Sequence, residues 1–405
     1  MRVTIAPRQL GGSIKAIASK SEAHRLLICA ALARGETEIA CGQLSADINA
    51  TADCLRALGA DIDYSGGVFR VKPLDGSTRG AVLDVGESGS TLRFLLPVAC
   101  ALGAECKIKM HGRLPARPLS PLWEELEAHG AVLMRPEPDV ISVSGTLAAG
   151  DYTLAANVSS QFISGLLFAL PLLGRDSRIV LTGDIESAGY IDMTVRALRR
   201  FGSDCELCGR TFAVKGGRPL RSPKTAEVEG DWSNAAFWLT AGAISQKNID
   251  VEGLTADSPQ GDRAAAAALA EIRRGGAVID ARDIPDLVPV LSVAAAVSPG
   301  TTEFTGAARL RIKESDRLAA TAAMLTALGG DAEERPDGLI VRGKLALAGG
   351  TVSSCNDHRI AMSAAVASIA CTGSVTVDGA EVVGKSYPAF WDDFESLGGC
   401  ITREE

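Results

Sequence analysis

Histidine is scarce in this chain, with four in 405 residues at positions 24, 111, 129 and 358. No two stand at metal-ligand spacing, so metal catalysis has no ligand set to rest on. The ten cysteines are not dense, and Cys29, Cys100 and Cys371 sit inside apolar runs, where a reduced thiol packs as a small hydrophobe. Cys205 and Cys208 form the one Cys-x-x-Cys pair, without a second pair or a nearby histidine, so neither zinc nor redox chemistry is assigned. The longest apolar stretch, Phe162 to Gly174, falls short of the roughly 20 residues a membrane helix needs. The opening MRVTIAPRQLGG has no charged-then-apolar signal pattern. A soluble, cytoplasmic protein is expected. Positive charge is not in excess either: 41 basic against 49 acidic residues give a net charge of −8. That argues against a general nucleic-acid binder and confines anion binding to local clusters.

What the chain does have is length for two domains and an internal repeat. Six helix-like segments end with an apolar residue, three further positions, then Gly. They are Leu55 to Gly59, Leu126 to Gly130, Leu198 to Gly202, Ile272 to Gly276, Leu325 to Gly329 and Phe394 to Gly398. The apolar residue packs the last helical turn, the left-handed Gly ends it, and an extended segment follows. The intervals between these glycines are 71, 72, 74, 53 and 69 residues, too long for a solenoid repeat and suited to a small α/β unit of two helices and several strands. Six units in two domains means three each. The polar, Gly- and Pro-rich segment Gly216–Gly230 is the best boundary candidate.

Cations and hydroxyls recur where helices are expected to begin. Lys20, Ser21, His24 and Arg25 open one apolar run, with Ser21 and Arg25 one turn apart. Gly86-Glu87-Ser88-Gly89-Ser90-Thr91 opens another, without the Gly-Lys-Ser/Thr ending of a Walker loop. Arg113 and Arg117 lie in a Pro-punctuated loop, where a guanidinium can fork onto phosphate or carboxylate. Ser159-Ser160-Gln161 precede FISGLLFALPLL as a phosphate site or a cap, and Ser187 and Tyr190 add hydroxyls in a turn before a further helix. In the second half, Lys313 and Arg317 are expected on one side of a helix with Glu314 beside them. Asp286, followed by Leu, Val, Pro, Val and Leu, is expected to be partly buried with a raised pKa if it lacks a partner, which would suit a general base. Arg359 follows Asn356-Asp357-His358 at another helix start, where the dipole disfavours a cation unless an anion is present. Lys385 precedes the last unit. Any one segment reads equally as a capped helix with solvated charges; their recurrence in both halves points to surfaces closing on a strongly anionic substrate set.

These residues resemble the 5-enolpyruvylshikimate-3-phosphate synthase family, the 3-phosphoshikimate 1-carboxyvinyltransferases. The likeness runs in the family's order from SKSEAHRLL through GESGSTLRF, ARPLSPL, SSQFISGLL, ESAGYID, GDWSNAAF, DIPDLVP, RIKESDRL and NDHRIAM to GKSYPAFW. It implies an α/β (α+β) chain of two domains in an inside-out, barrel-like fold of six βαβαββ units, three per domain. Residues 1–18 with 230–405 would form one domain and 19–229 the other, each carrying half of the site. The implied reaction transfers the enolpyruvyl group of phosphoenolpyruvate to the 5-hydroxyl of shikimate 3-phosphate and releases phosphate, on the route to chorismate and the aromatic amino acids. Neither metal nor organic cofactor, nucleic acid nor membrane is implied, and a monomer is expected.

By the same resemblance, Asp286, Glu314, Lys385 and Lys20 are the catalytic candidates. Asp286 takes the hydroxyl proton, and Glu314 and Lys385 share proton transfer at the enolpyruvyl group. Shikimate 3-phosphate falls to Lys20, Ser21, Arg25, Ser159, Ser160, Gln161, Ser187, Tyr190, Asp286 and Lys313. Phosphoenolpyruvate falls to Lys20, Gly89, Arg117, Gln161, Arg317, Arg359 and Lys385. Three positions depart from the pattern: Glu87 stands where many members have Asn, Ser90 where many have Thr, and Arg309 where some have Asn. An extra carboxylate at 87 would weaken anion binding unless it pairs with an arginine. Gly89 is retained, so ordinary sensitivity to glyphosate is expected. Two rivals are a UDP-N-acetylglucosamine enolpyruvyl transferase, whose loop cysteine is missing from His111–Pro118, and a non-catalytic sugar-phosphate binding protein. The joint retention of Asp286, Glu314 and Lys385 argues against the second.

Overall fold

The computed structural model of the chain describes residues 1–76 and 79–404. Its contacts divide it into two compact units, Ala18–Val228 and Met1–Ile17 with Glu229–Glu405. They are called the central and the terminal unit below. Each has its own apolar core.

The helices of the central unit are Lys20–Leu32 (α1), Ala46–Ala57 (α2), Gly89–Ala101 (α3), Leu122–Ala128 (α4), Ser160–Ala169 (α5) and Ala188–Arg200 (α6). Those of the terminal unit are Trp232–Ile244 (α7), Ala265–Arg273 (α8), Val288–Ala296 (α9), Arg317–Ala327 (α10), His358–Ala367 (α11) and Phe390–Ser396 (α12). Side chains of Ser19, Ser45, Ser88, Ser159, Asp231, Asp316 and Asp357 accept from backbone N–H groups in the first turns of α1, α2, α3, α5, α7, α10 and α11. Each such cap satisfies a donor that the helix itself leaves without a partner.

One pattern of chain repeats. Arg79–Asp84, α3, Glu105–Lys109, α4, Ala131–Glu137 and Val140–Gly145 form a βαβαββ unit. Its first two strands are parallel and its last two close as an antiparallel hairpin, in spatial order first, second, fourth, third. The same order recurs around α5 and α6 and around α9 and α10. Two further sheets are completed by distant chain: Thr225–Glu227 pairs beside Thr37–Ala40, and Arg2–Ala6 inserts between Val375–Asp378 and Cys400–Glu404. The sixth unit, around α7 and α8, is shortened to Gly12–Lys15 paired with Ile249–Glu252. Helix α8 therefore runs directly into the first strand of the next sheet, Ala277–Asp280, without a hairpin between. That is the physical source of the short Gly276-to-Gly329 interval. All six repeat glycines, 59, 130, 202, 276, 329 and 398, have φ between 78° and 103°, the left-handed region that ends a helix most cheaply at glycine.

Within each unit some helices are buried all round. Every residue of α9 and of α11 is buried, and so is most of α3 and α5, which accounts for apolar runs without an amphipathic period. Close approach of α3 and α5 depends on two residues. Pro97, inside α3, has no N–H to donate to the Arg93 carbonyl four residues earlier. Gly165 of α5 fits at that same carbonyl, where any Cβ would collide with it and would come within 3.0 Å of Pro97 Cγ. Ala is worth about 1 kcal/mol over Gly in a helix interior, whereas overpacking a filled contact costs about 1–3 kcal/mol. Gly165→Ala is therefore expected to destabilise the protein despite its better helix propensity. Urea unfolding that showed equal or higher stability would contradict this account of the contact.

Candidate active site

In the central unit the predicted residues gather at the beginnings of α1, α3, α5 and α6. Lys20 is the first residue of α1 and forms an ion pair of 2.9 Å with Asp47 of α2. Arg25, one turn along, is buried. It donates to the backbone carbonyls of Ser21 at 2.5 Å and Tyr190 at 2.8 Å, and to Thr194 Oγ1 at 2.8 Å, with its guanidinium 5.0 Å from the Phe94 ring centre. Thr194 in turn donates to Ser164 of α5 at 2.8 Å. One buried guanidinium and two hydroxyls thus fix α1, α5 and α6 at the end where Ser21, Ser160 and Ser187 lie. Ser187 is itself the residue before α6, held at φ 56°, a conformation costing on the order of 1 kcal/mol or more for a residue with a Cβ. Tyr190 lies inside the first turn of α6 rather than in the turn before it.

A second group surrounds the start of α3. Gln161 donates from Nε2 to Ser90 Oγ at 2.9 Å and accepts from Arg93 Nη1 at 3.3 Å. Arg93 reaches the Pro118 carbonyl at 3.2 Å. A Cβ added to Gly89 would stand 2.5 Å from Arg93 Nη1 and 2.8 Å from Arg117 Nη1, so the missing side chain is what lets two guanidinium groups lie over this helix start. Ser159 caps α5. Glu87 turns its carboxylate onto Gly112 in the neighbouring loop, where a Cβ would overlap it.

Sequence reading missed the supports of this group. Nδ1 of the fully buried His24 pairs with Thr51 Oγ1 at 2.7 Å, Thr51 with Thr91 Oγ1 at 2.6 Å, and Thr91 donates to Ser88 Oγ at 2.8 Å. Asp47 and Thr51, one turn apart on α2, therefore tie the first turn of α1 to that of α3. Burial and the nearby Lys20 and Arg25 hold the His24 imidazole well below its ordinary pKa, so it works here as a neutral hydrogen-bonding strut. Asp47 and Thr51 share one helix face in the sequence, but nothing local shows which neighbours that face meets.

In the terminal unit three acids and three bases interlock. Arg317, the first residue of α10 and almost wholly buried, donates to Asp286 Oδ1, Glu314 Oε2 and Asp357 Oδ2, each at 2.7 Å. Lys313 lies 3.4 Å from Asp286 Oδ1. Arg359 reaches Asp286 Oδ2 at 3.2 Å and its backbone carbonyl at 3.1 Å. Ser315 donates to Asp357 Oδ2 at 2.9 Å. Lys385 donates to the Asn356 carbonyl and side chain, both at 2.9 Å, in the left-handed Cys355–Asn356 turn that leads to Asp357. Arg309, left out of the predicted set, donates to the Arg282 carbonyl at 2.9 Å.

One expectation is corrected here, and the condition attached to another is not met. Lys313 and Arg317 do not share a helix: Lys313 ends a 3₁₀ turn over Ala308–Ile312, and α10 begins at Arg317 behind the Asp316 cap. They meet through Asp286 instead. The Asp286 carboxyl, moreover, is not raised. Burial pushes it up, but Arg359, Lys313 and Arg317 together outweigh burial and hold it well below the ordinary aspartate range. Burial, with Arg317 assisting, lowers the Lys313 ammonium against the opposing pull of Asp286. The anion that the α11 start requires is Asp357, the cap itself, accepting from the Arg359 backbone N–H at 3.0 Å. Burial raises the Asp357 carboxyl, yet Arg317 leaves it below its usual value.

Because the folded-state values of Asp286 and Asp357 lie below those of the unfolded chain, their stabilisation is complete above about pH 4 and is lost as the pH falls through the folded values. Asp357→Asn leaves Arg317 with one fewer charge partner and is expected to cost about 3–5 kcal/mol at neutral pH. It should also flatten the loss of stability in acid. Thermal melts between about pH 2 and pH 7 check both, and an unchanged acid slope in the variant would remove Asp357 from this account.

The EPSP synthase (3-phosphoshikimate 1-carboxyvinyltransferase) family model matches residues 5–394. A 3-phosphoshikimate 1-carboxyvinyltransferase of Clostridium kluyveri is 42% identical over 98% of both chains, and one of Clostridium perfringens is 40% identical over the whole of both. A solved EPSP synthase from Acinetobacter baumannii superposes with a TM-score of 0.81 over the full length of each chain at 25% identity. A model match across nearly the entire chain, relatives of this identity and a shared fold leave one conclusion: the chain belongs to the EPSP synthase family of 3-phosphoshikimate 1-carboxyvinyltransferases.

Proposed function

We propose that this chain transfers the enolpyruvyl group of phosphoenolpyruvate to the 5-hydroxyl of shikimate 3-phosphate and releases phosphate, with the cluster around Asp286 as its chemical centre. The observation that carries the reading is the crowd of three cations on one partly exposed carboxylate. In the reaction the hydroxyl oxygen forms a bond to C2 of phosphoenolpyruvate while C3 gains a proton. C3 then loses a proton as the C2–O bond to phosphate breaks. Asp286 accepts the hydroxyl proton, and Glu314 and Lys385 serve proton transfer at C3. Lys20, Ser21, Arg25, Ser159, Ser160, Gln161, Ser187, Tyr190, Asp286 and Lys313 serve shikimate 3-phosphate; Lys20, Gly89, Arg117, Gln161, Arg317, Arg359 and Lys385 serve phosphoenolpyruvate. Residues 1–18 with 230–405 and residues 19–229 each form a domain that supplies part of this set. The chain acts as a cytoplasmic monomer; no helix among the described residues is long and apolar enough to cross a membrane.

The depressed Asp286 carboxyl has a mechanistic consequence on this reading. A base works best with a pKa near the operating pH, and three cations hold this one far lower. Substrate anions that neutralise Lys313, Arg317 and Arg359 would weaken that field and bring the carboxyl up, so that the base becomes effective when both substrates are bound. The acidic limb of kcat, which reports the bound enzyme, should then lie at higher pH than that of kcat/KM. Coincident limbs would reject substrate-driven activation of the base.

The direct test follows phosphate release from the two substrates, with UDP-N-acetylglucosamine as the alternative acceptor. Turnover with the nucleotide sugar alone would overturn the assignment. For Asp286→Asn, turnover should fall on the order of a hundredfold or more, the usual scale for loss of a general base, while calorimetry still detects binding of shikimate 3-phosphate. Undiminished turnover would sink Asp286 as the base.

A further inference from the structure

Asp262 belongs to none of the groups assigned above. It lies in the 3₁₀ turn Gly261–Ala264 before α8 and is 2% exposed. Its Oδ2 meets the hydroxyl of Ser233 in α7, and the same hydroxyl accepts from Arg359 Nη2 at 3.0 Å. That Nη2 also donates to Asp286 Oδ2 at 3.2 Å. A guanidinium can only donate, and a serine hydroxyl carries one proton. Ser233 therefore accepts from Arg359 and directs its own proton to Asp262. Arg359 is held between two carboxylates, Asp286 directly and Asp262 through the hydroxyl. Burial and the like charge of Asp286 push the Asp262 carboxyl up to about 6, against the pull of Arg359 and the Ser233 hydrogen bond, with Asp231 of the α7 cap adding to the rise. A carboxylate kept at such cost, on a segment far in sequence from both α7 and α11, calls for a reason beyond capping a short turn.

We propose that Asp262, acting through Ser233, is a positioning residue that holds Arg359 Nη2 between Ser233 and Asp286 while Nη1 stays on the Asp286 backbone carbonyl, so that the guanidinium does not turn flat onto the Asp286 carboxylate. An unrestrained guanidinium beside a carboxylate settles into a two-pronged pair. That arrangement would withdraw Arg359 from phosphoenolpyruvate. This rests on the proposed roles of Arg359 and Asp286, and it adds a specific consequence: the restraint acts on one substrate, not on both.

Steady-state kinetics of Ser233→Ala, Ser233→Thr and Asp262→Asn test it, with thermal melts alongside. Ser233→Ala should raise the KM for phosphoenolpyruvate on the order of tenfold, the scale of about one lost charge-assisted hydrogen bond, and leave the KM for shikimate 3-phosphate within about twofold. Ser233→Thr keeps the hydroxyl and should restore most of the loss, and Asp262→Asn should shift the same constant in the same direction. Unchanged constants in Ser233→Ala, or equal rises in both KM values with a lowered melting point, would show a merely structural contact and overturn the proposal. Should Asp262→Asn fail to fold, the serine pair decides the matter. Absence of turnover in the unaltered protein would instead reject the reaction itself, so the two failures are distinguishable.

Discussion

The burial of Arg317 is the constraint on which the terminal unit's chemistry depends. A guanidinium at 1% exposure is tolerable only if its donors meet negative charge, because desolvating it alone would cost several kcal/mol. Asp286, Glu314 and Asp357 provide that charge, and each comes from a different local setting: a 3₁₀ turn, the link into α10 and the cap of α11. Once Arg317 is placed, the beginnings of α9, α10 and α11 are bound to a common point. Burial works against that charge, but the surrounding carboxylates outweigh desolvation, raise the pKa and keep the guanidinium charged.

The central unit solves a similar problem with less charge. Arg25 is equally buried, but two backbone carbonyls and a threonine hydroxyl receive its protons rather than carboxylates, and desolvation brings its pKa down to about 10. The helix beginnings there are joined by hydroxyls, His24–Thr51–Thr91–Ser88 on one side and Thr194–Ser164 on the other. Neutral hydrogen bonds fix geometry without filling the unit with negative charge. The terminal unit, by contrast, keeps acids beside its bases.

Charge near the start of α3 is handled by close packing. Gly89 and Gly165 give up side chains where Arg93 must pass, and Pro97 releases a carbonyl at the α3–α5 contact. Gly112 in the adjoining loop makes room for the Glu87 carboxylate.

Much of this architecture was legible in the chain itself. A glycine four residues beyond an apolar helical position imposes a helix end and a strand start through local backbone sterics, so six repeats could be read without any knowledge of packing. Caps such as Ser19, Ser88 and Ser159 are likewise local. The shortened sixth unit showed only as a short interval, because the pairing of Gly12–Lys15 with Ile249–Glu252 is long-range and has no local signature, and the same holds for the strands Arg2–Ala6 and Thr225–Glu227 lent to two other sheets. The site divides in the same way. Residue types at helix beginnings marked Lys20, Gln161, Arg317 and Arg359, but whether Asp286 stands alone or among three cations depends on residues 27 to 73 positions away. The rise expected of an unpartnered carboxylate gives way to a lowered pKa for that reason. Asp47, Thr51, Ser233 and Asp262 escaped notice because a polar side chain on a helix looks the same in sequence whether it meets water or a buried partner. Local sterics determined where elements begin and end; only folding, by removing water from particular pairs, decided which charges govern one another.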